Sequence, residues 1–360
     1  MRALLLLEDG RRFEGRAFGA STRKVGEAVF NTAMTGYQEA LTDPSYSEQV
    51  LVMTASHLGN TGVNDEDDES DRCWVSGFVV RDVSDEASNW RSRGSLGAWL
   101  ADRGVPGLAG IDTRALVRHL RTRGAMRCAI STDGTPEAQL TDELQAWPGM
   151  LGRDLASEAS CKAPYVASAP TTPRARLAVL DGGAKRNILR LLAEAGCHVT
   201  VYPLHTPASE FARGVDGVLV TNGPGDPAAL GGVVAELRSV LGTLPMVGIC
   251  LGHQLLGLAV GATTYKLPFG HRGANQPVRD ERTGRVQITS QNHGFAVDRA
   301  SLVAAGATIT HTHLNDGTVS GFADLDRRVY AVQYHPEAAP GPADGRGILL
   351  DEFIRFVGGR

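Results

Sequence analysis

Long hydrophobic runs are missing from this chain. No apolar stretch approaches the ~20 residues of a membrane span. The opening Met1-Arg-Ala-Leu-Leu-Leu-Leu-Glu-Asp-Gly10 is too short for a signal-peptide core and reads as a first strand ending in a turn. A membrane role is therefore excluded, and the cytoplasm is the expected compartment. Positive charge is not in excess either: the formal net charge is -4 at pH 7, which gives no pull toward nucleic acid. Cysteine is sparse. Cys73, Cys128, Cys161, Cys197 and Cys250 are scattered, with no C-x-x-C. An odd, dispersed set speaks against a disulfide framework and for a reducing compartment. Also absent are G-x-x-x-x-G-K-[ST] and G-x-G-x-x-G, which removes the commonest nucleotide cradles but not every ATP-binding fold.

What is present is ordinary globular material: 360 residues, 42% hydrophobic and 21% charged, enough for two domains. Residues 1–60 are β-rich, with strands expected at Ala3–Leu7, Arg12–Phe18, Glu27–Met34 and Gln49–Ala55. Asp65-Glu-Asp-Asp-Glu69 is either a cation site or a solvated loop. It lacks the glycine and closing glutamate of a calcium loop, so the loop is favoured. A strand is expected over Trp74–Val83, and helices over Ser95–Arg103, Asp112–Arg123 and Pro136–Trp147. Thr113 is a candidate cap for the second helix. Its arginine-rich face is a docking surface or, more commonly, a solvated one. Residues 156–175 turn rich in Ala, Ser, Pro and Thr and read as a linker. The expected division is 1–158, a linker over 159–175, and 176–360. Beyond the linker, strands and helices alternate, which argues for a parallel sheet with helices on both faces. A final amphipathic helix is expected at Ile348–Val357.

Three clusters carry chemistry. Gly248-Ile-Cys-Leu-Gly252 follows an apolar strand and opens a helix. It is the pattern of a sharp nucleophile turn with cysteine in place of serine. Its glycines let the backbone bend and a substrate approach, and the helix N-terminus favours thiolate. The alternative is a buried structural cysteine. The second cluster, His335-Pro-Glu337, ends a strand and would complete a Cys–His–Glu relay. The third is Thr221-Asn-Gly-Pro-Gly-Asp-Pro227, an ordinary turn or, beside a thiol, a source of oxyanion-binding N–H groups. The Leu251 N–H would be the second donor. His311 and His313 could chelate a metal, but no third ligand is evident and core or surface histidines are expected.

Gly248-Ile-Cys-Leu-Gly-His-Gln254, Asn222-Gly-Pro-Gly-Asp-Pro227 and His335-Pro-Glu337 together resemble the class I, triad glutamine amidotransferases. The stretches 30–47 and 57–64 narrow the likeness to the small, glutamine-hydrolysing subunits of carbamoyl-phosphate synthase. Gly110–Arg114, Lys185-Arg-Asn187 and Gln291–Phe295 fit the same family, and the likeness covers essentially the whole chain. It implies an α/β chain: an N-terminal β-rich α/β domain followed by a doubly wound, mostly parallel-sheet class I glutamine amidotransferase domain.

The resemblance also implies a site. Cys250, His335 and Glu337 would be the triad. Ser45, Gly223, Gly225, Leu251, Gln254, Asn292, Gly294 and Phe295 would hold L-glutamine. No metal or cofactor is implied in this chain. ATP, Mg and bicarbonate belong to a large-subunit partner, to which ammonia would pass for carbamoyl phosphate synthesis in the arginine and pyrimidine pathways. Higher assemblies of that heterodimer stay open. On the residues alone two rivals stand: a stand-alone cysteine hydrolase such as a peptidase or γ-glutamyl hydrolase, and a non-catalytic regulatory subunit. The first leaves the N-terminal half unexplained, and the intact triad disfavours the second.

Overall fold

A computed structural model describes residues 2–338, 341–342 and 347–358. It forms two units, Met1–Leu151 with Pro268–Gly273, and Gly152–Leu267 with Ala274–Arg360. Among the described residues no helix is long and apolar enough to cross a membrane.

The first unit is a closed barrel. Its strands are β1 (Arg2–Leu7), β2 (Arg12–Gly19), β3 (Arg23–Asn31), β4 (Gln49–Met53), β5 (Gly77–Val79), β6 (Pro106–Ala109) and β7 (Met126–Ser131), in the order β1-β2-β6-β5-β4-β3-β7. β4 is buried throughout and parallel to both neighbours. That is the setting in which a strand reads as a continuous apolar run. Val50 and Val52 enter one core cluster, Leu51 and Met53 the other. The strand expected over Trp74–Val83 shrinks to Gly77–Val79 because its partners β4 and β6 are short. A helix not foreseen, Tyr37–Thr42, follows Gly36 at φ 77°. Three further helices form at Leu96–Asp102, Thr113–Arg123 and Glu137–Ala146. The cap of the second is Asp112, whose Oδ1 accepts from Ala115 N at 2.9 Å, and not Thr113, which is buried.

The acidic run is a solvated loop at its start, where Asp65 and Glu66 are exposed, and turns inward to a buried Glu69. Arg91 grips Glu66 and Asp67, Arg103 lies 3.8 Å from Asp68, and Glu69 is buried with its N–H on Thr42 Oγ1.

The second unit is a ten-stranded sheet. Its strands are β8 (Tyr165–Ser168), β9 (Arg176–Asp181), β10 (His198–Pro203), β11 (Gly217–Val220), β12 (Met246–Ile249), β13 (Thr264–Asp280), β14 (Val286–Val297), β15 (Thr308–His313), β16 (Val319–Asp324) and β17 (Val329–Val332). The order is β14-β13-β15-β16-β17-β12-β11-β9-β10-β8. Its centre, β10-β9-β11-β12-β17, is parallel throughout. Antiparallel strands flank it, β8 on one side and β16 and β15 on the other. Side chains alternate strictly between the two faces: Ala178, Leu180, Val218 and Val220 enter one core cluster, Leu177, Val179, Leu219 and Val247 the other. Helices Gly231–Ser239 and Leu251–Val260 pack on the first face, and Arg186–Glu194 on the second. The C-terminal segment joins that second face as a π-helical stretch, Ile348–Phe353, running into Ile354–Phe356.

Two boundary expectations are corrected. The division falls at Leu151/Gly152, ahead of the expected 158, and part of the expected linker, Tyr165–Ser168, is the sheet's edge strand. Its side chains are largely exposed, so its composition carries no core signal. The second unit is also not one uninterrupted run. Pro268–Gly273 counts with the barrel, where Pro268 O accepts from Ala125 N at 2.7 Å and Phe269 stacks on Phe30.

Candidate active site

β12 ends at Ile249, and the next residue, Cys250, keeps its N–H on Val332 O at 2.9 Å. The helix Leu251–Val260 starts immediately. To turn that sharply, Cys250 adopts φ 54°, ψ −101°, a conformation side-chain-bearing residues seldom hold. The flanking glycines are needed for a reason other than the bending expected of them. Neither has positive φ. A Cβ on Gly248 would lie 2.5 Å from the Gly252 carbonyl, and one on Gly252 would lie 2.0 Å from Val220 O. They let the helix start press directly on two strands. The Leu251 N–H, first in the helix, makes no hydrogen bond among the described residues and is one of the free donors of a helix start.

His335 sits past β17, anchored by its N–H to Ser290 O at 2.9 Å. Its Nδ1 is 2.6 Å from Glu337 Oε1, and both side chains are fully buried. That contact fixes the ring's orientation. Nε2 is buried without a hydrogen bond of full geometry, and the Cys250 side chain lies within interaction range of the ring. Burial and the Lys185 charge push the imidazole down, but Glu337 and the Cys250 side chain outweigh them and hold it above its usual value. Burial pushes the Glu337 carboxyl up, yet Lys185 and His335 hold it ionised, below the usual carboxylate range.

Lys185 had no role assigned from sequence. Its Nζ is 3.1 Å from Glu337 Oε1 in a pair closed to solvent. Asn187, also unassigned, donates to Glu337 O at 2.6 Å. The only sequence signal for either was membership in the Lys185-Arg-Asn187 stretch. The loop carrying Lys185 is held by the Thr221–Pro227 segment: Asn222 Oδ1 accepts from Lys185 N, Asn222 Nδ2 donates to Gly183 O, and Thr221 Oγ1 accepts from Gly182 N. Gly223 lies so close that a Cβ there would be 2.1 Å from Gly182 O, and Gly225 takes φ +95°.

The other nominated residues divide by unit. Gln254 donates to Phe295 O at 2.9 Å, and Asn292 O lies 3.6 Å from Cys250 Sγ. Gly294 lies between them in β14. Ser45 belongs to the barrel unit, buried in the turn Pro44–Tyr46 with its N–H on Asp43 Oδ1. His311 and His313 are core residues: His311 Nδ1 contacts Thr310 Oγ1, and His313 Nε2 contacts Gln276 Oε1.

A thiol on a strained strand-to-helix turn and an imidazole oriented by a buried carboxylate stand at the ends of parallel strands, in a domain of the glutamine amidotransferase class. The glutamine amidotransferase class-I model matches residues 178–356, and the carbamoyl-phosphate synthase small chain, CPSase domain model matches residues 5–130. The chain is 52% identical to the carbamoyl phosphate synthase small chain of Streptomyces avermitilis, covering 99% of this chain and 96% of that one. It is 50% identical to that of Akkermansia muciniphila (98% and 96%) and 49% identical to that of Mycobacterium tuberculosis (99% and 99%). The chain belongs to the carbamoyl-phosphate synthase small chain family.

Proposed function

We propose that this chain hydrolyses L-glutamine at Cys250 and passes the ammonia to a large subunit that makes carbamoyl phosphate. The observation that carries this is the His335–Glu337–Lys185 charge cluster beside a cysteine held in a strained turn. Cys250 loses its proton to His335, and its sulfur attacks the side-chain amide carbon of glutamine. The new S–C bond pushes the carbonyl electrons onto oxygen, where the Leu251 N–H and the backbone near Gly225 stabilise the charge. The oxyanion collapses, the C–N bond breaks, and imidazolium gives its proton to the departing ammonia. Water, deprotonated by His335, then splits the thioester to glutamate and the free thiol. An imidazolium favoured by Glu337 suits the acid step. Ser45, Gly223, Gly225, Gln254, Asn292, Gly294 and Phe295 are proposed to hold the amino acid.

Bicarbonate, ATP and Mg are assigned to the partner, in a cytoplasmic complex serving arginine and pyrimidine synthesis. The test is Cys250→Ser in the complex with its large subunit. Glutamine-driven carbamoyl phosphate synthesis should vanish while ammonia-driven synthesis survives. Loss of both in a well-folded complex would count against the assignment.

A further inference from the structure

Resting on the glutaminase reading, we propose that Gln333 is a positioning residue that, together with the Phe295 carbonyl, holds the amide end of the Gln254 side chain and leaves its carbonyl end to face the substrate. The argument is a count of donors and acceptors. Gln254 Nε2 lies 2.9 Å from Phe295 O and 3.0 Å from Gln333 Oε1. Phe295 O is a backbone carbonyl and can only accept, so the atom facing it must be the amide nitrogen. An amide nitrogen carries two hydrogens, and the two acceptors use both. The carbonyl end, Oε1, is therefore the free end; it makes no hydrogen bond among the described residues. Gln254 stands in the first turn of the helix that Cys250 opens, with its N–H on Cys250 O at 3.2 Å. What the site offers there is an acceptor, suited to an N–H group such as the α-ammonium of an amino acid. A rotated amide would offer a donor and repel it.

Gln333 is itself oriented. It follows β17 directly, with its N–H on Ser320 O at 2.9 Å. Its Oε1 faces Gln254, and its Nε2 is buried without a hydrogen-bond partner among the described residues. Burial pushes the His253 imidazole down to about 3. The ring therefore stays neutral. Gln333 acts through Gln254.

The test uses the chain with its large subunit. Gln333→Met keeps the volume and removes the acceptor. KM for glutamine should rise about three- to tenfold, one hydrogen bond's worth, with kcat within about twofold. Ammonia-driven synthesis should be unchanged. Cys250 should react more slowly with a chloroketone analogue of glutamine, but at the normal rate with iodoacetamide, which carries no ammonium. In a Gln254→Leu background the same change should move KM by less than about twofold, because the residue it positions is gone. If Gln333→Met does not fold, Gln333→Asn withdraws the acceptor by one methylene and keeps a polar core, and the same KM rise is expected. An unchanged KM, a loss confined to kcat, or a full effect without Gln254 overturns the role. Failure of the unsubstituted complex to hydrolyse glutamine would instead sink the glutaminase reading.

Discussion

The backbone at Cys250 makes a prediction that departs from ordinary experience. Consider Cys250→Ala and Cys250→Gly, both without the thiol. At an unstrained buried site glycine is the worse residue. It costs about 0.5–1 kcal/mol in backbone freedom and roughly 0.8 kcal/mol for the missing methyl, about 1.5 kcal/mol together. Alanine at 250, however, must hold φ 54°, ψ −101°, and such a conformation costs of order 1–3 kcal/mol. Glycine escapes that cost. The net should lie between about 0.5 kcal/mol in favour of alanine and about 1.5 kcal/mol in favour of glycine.

Urea unfolding measured on both variants supplies the difference. Trp74, Trp90, Trp99 and Trp147 all lie in the barrel unit, so fluorescence follows that unit. The sheet unit must be followed by far-UV circular dichroism or hydrogen exchange of β12. Ala259→Gly is the control: it is buried in the same helix with no conformational demand, and should lose the full ~1.5 kcal/mol or slightly more. If Cys250→Gly falls below Cys250→Ala by as much as that control, the turn stores no strain and the account of the nucleophile's presentation is wrong.

Three further outcomes follow from buried charge. Lys185→Met leaves the Glu337 carboxylate with His335 as its remaining cation and should destabilise the sheet unit by about 3–5 kcal/mol, read as a drop in Tm of roughly 6–20 °C; a loss under ~1 kcal/mol would mean that the pair is not ionised. Burial pushes His253 down to about 3 and His311 down to about 4. Both protonate in the unfolded chain below pH ~6.5, so their contribution is complete above that pH. It should be lost as the medium is acidified toward pH 4, at about 1.4 kcal/mol per pH unit for each ring, visible as proton uptake on unfolding in calorimetry. Burial raises Glu39 to about 7, so the opposite sign holds in the barrel. Its contribution is present below pH ~4.5 and fades as pH rises toward 7, and Glu39→Gln should stabilise that unit by about 1–2 kcal/mol at pH 8 and leave it unchanged at pH 4.

The parts of the site legible in the sequence were those where one residue type answers one local demand. Cys250 between two glycines, His335 ahead of a proline, and Gly223 and Gly225 at a strand end are weak signals singly and became legible in combination. The alternation of the sheet unit was legible because fully buried parallel strands are apolar on both faces. Illegible were features set by something distant. Lys185 reads as a surface lysine at a helix start until Glu337 is placed beside it. Tyr165–Ser168 reads as linker because an edge strand buries little. Pro268–Gly273 carries no signal that it belongs with the barrel. Helix Tyr37–Thr42 is short, and its N-cap glycine makes no side-chain cap bond. The purpose of Gly248 and Gly252 was also hidden: they serve the contact between helix start and strands and not the turn itself.

The topology explains why residues as scattered as Lys185, Asn222, Cys250 and His335 can act together. Each follows a parallel strand, β9, β11, β12 and β17 respectively, and parallel strands release their loops at one edge of the sheet. Chain distance therefore sets no limit on assembly there. Stability alone does not account for what that edge holds. A buried lysine, carboxylate and imidazole could be replaced by packed hydrocarbon with no loss, and often with a gain. The same edge carries a strained cysteine and a helix start with a free N–H. Three unfavourable features collected within one edge of an otherwise well-alternated sheet are the mark of a place shaped by reaction chemistry. The Lys185–Glu337 pair then sets how strongly His335 holds its proton. Lysine opposes the imidazolium while the carboxylate favours it. Lys185→Met should accordingly make His335 a stronger base and a weaker acid. The step that protonates departing ammonia should slow more than the step that generates the thiolate.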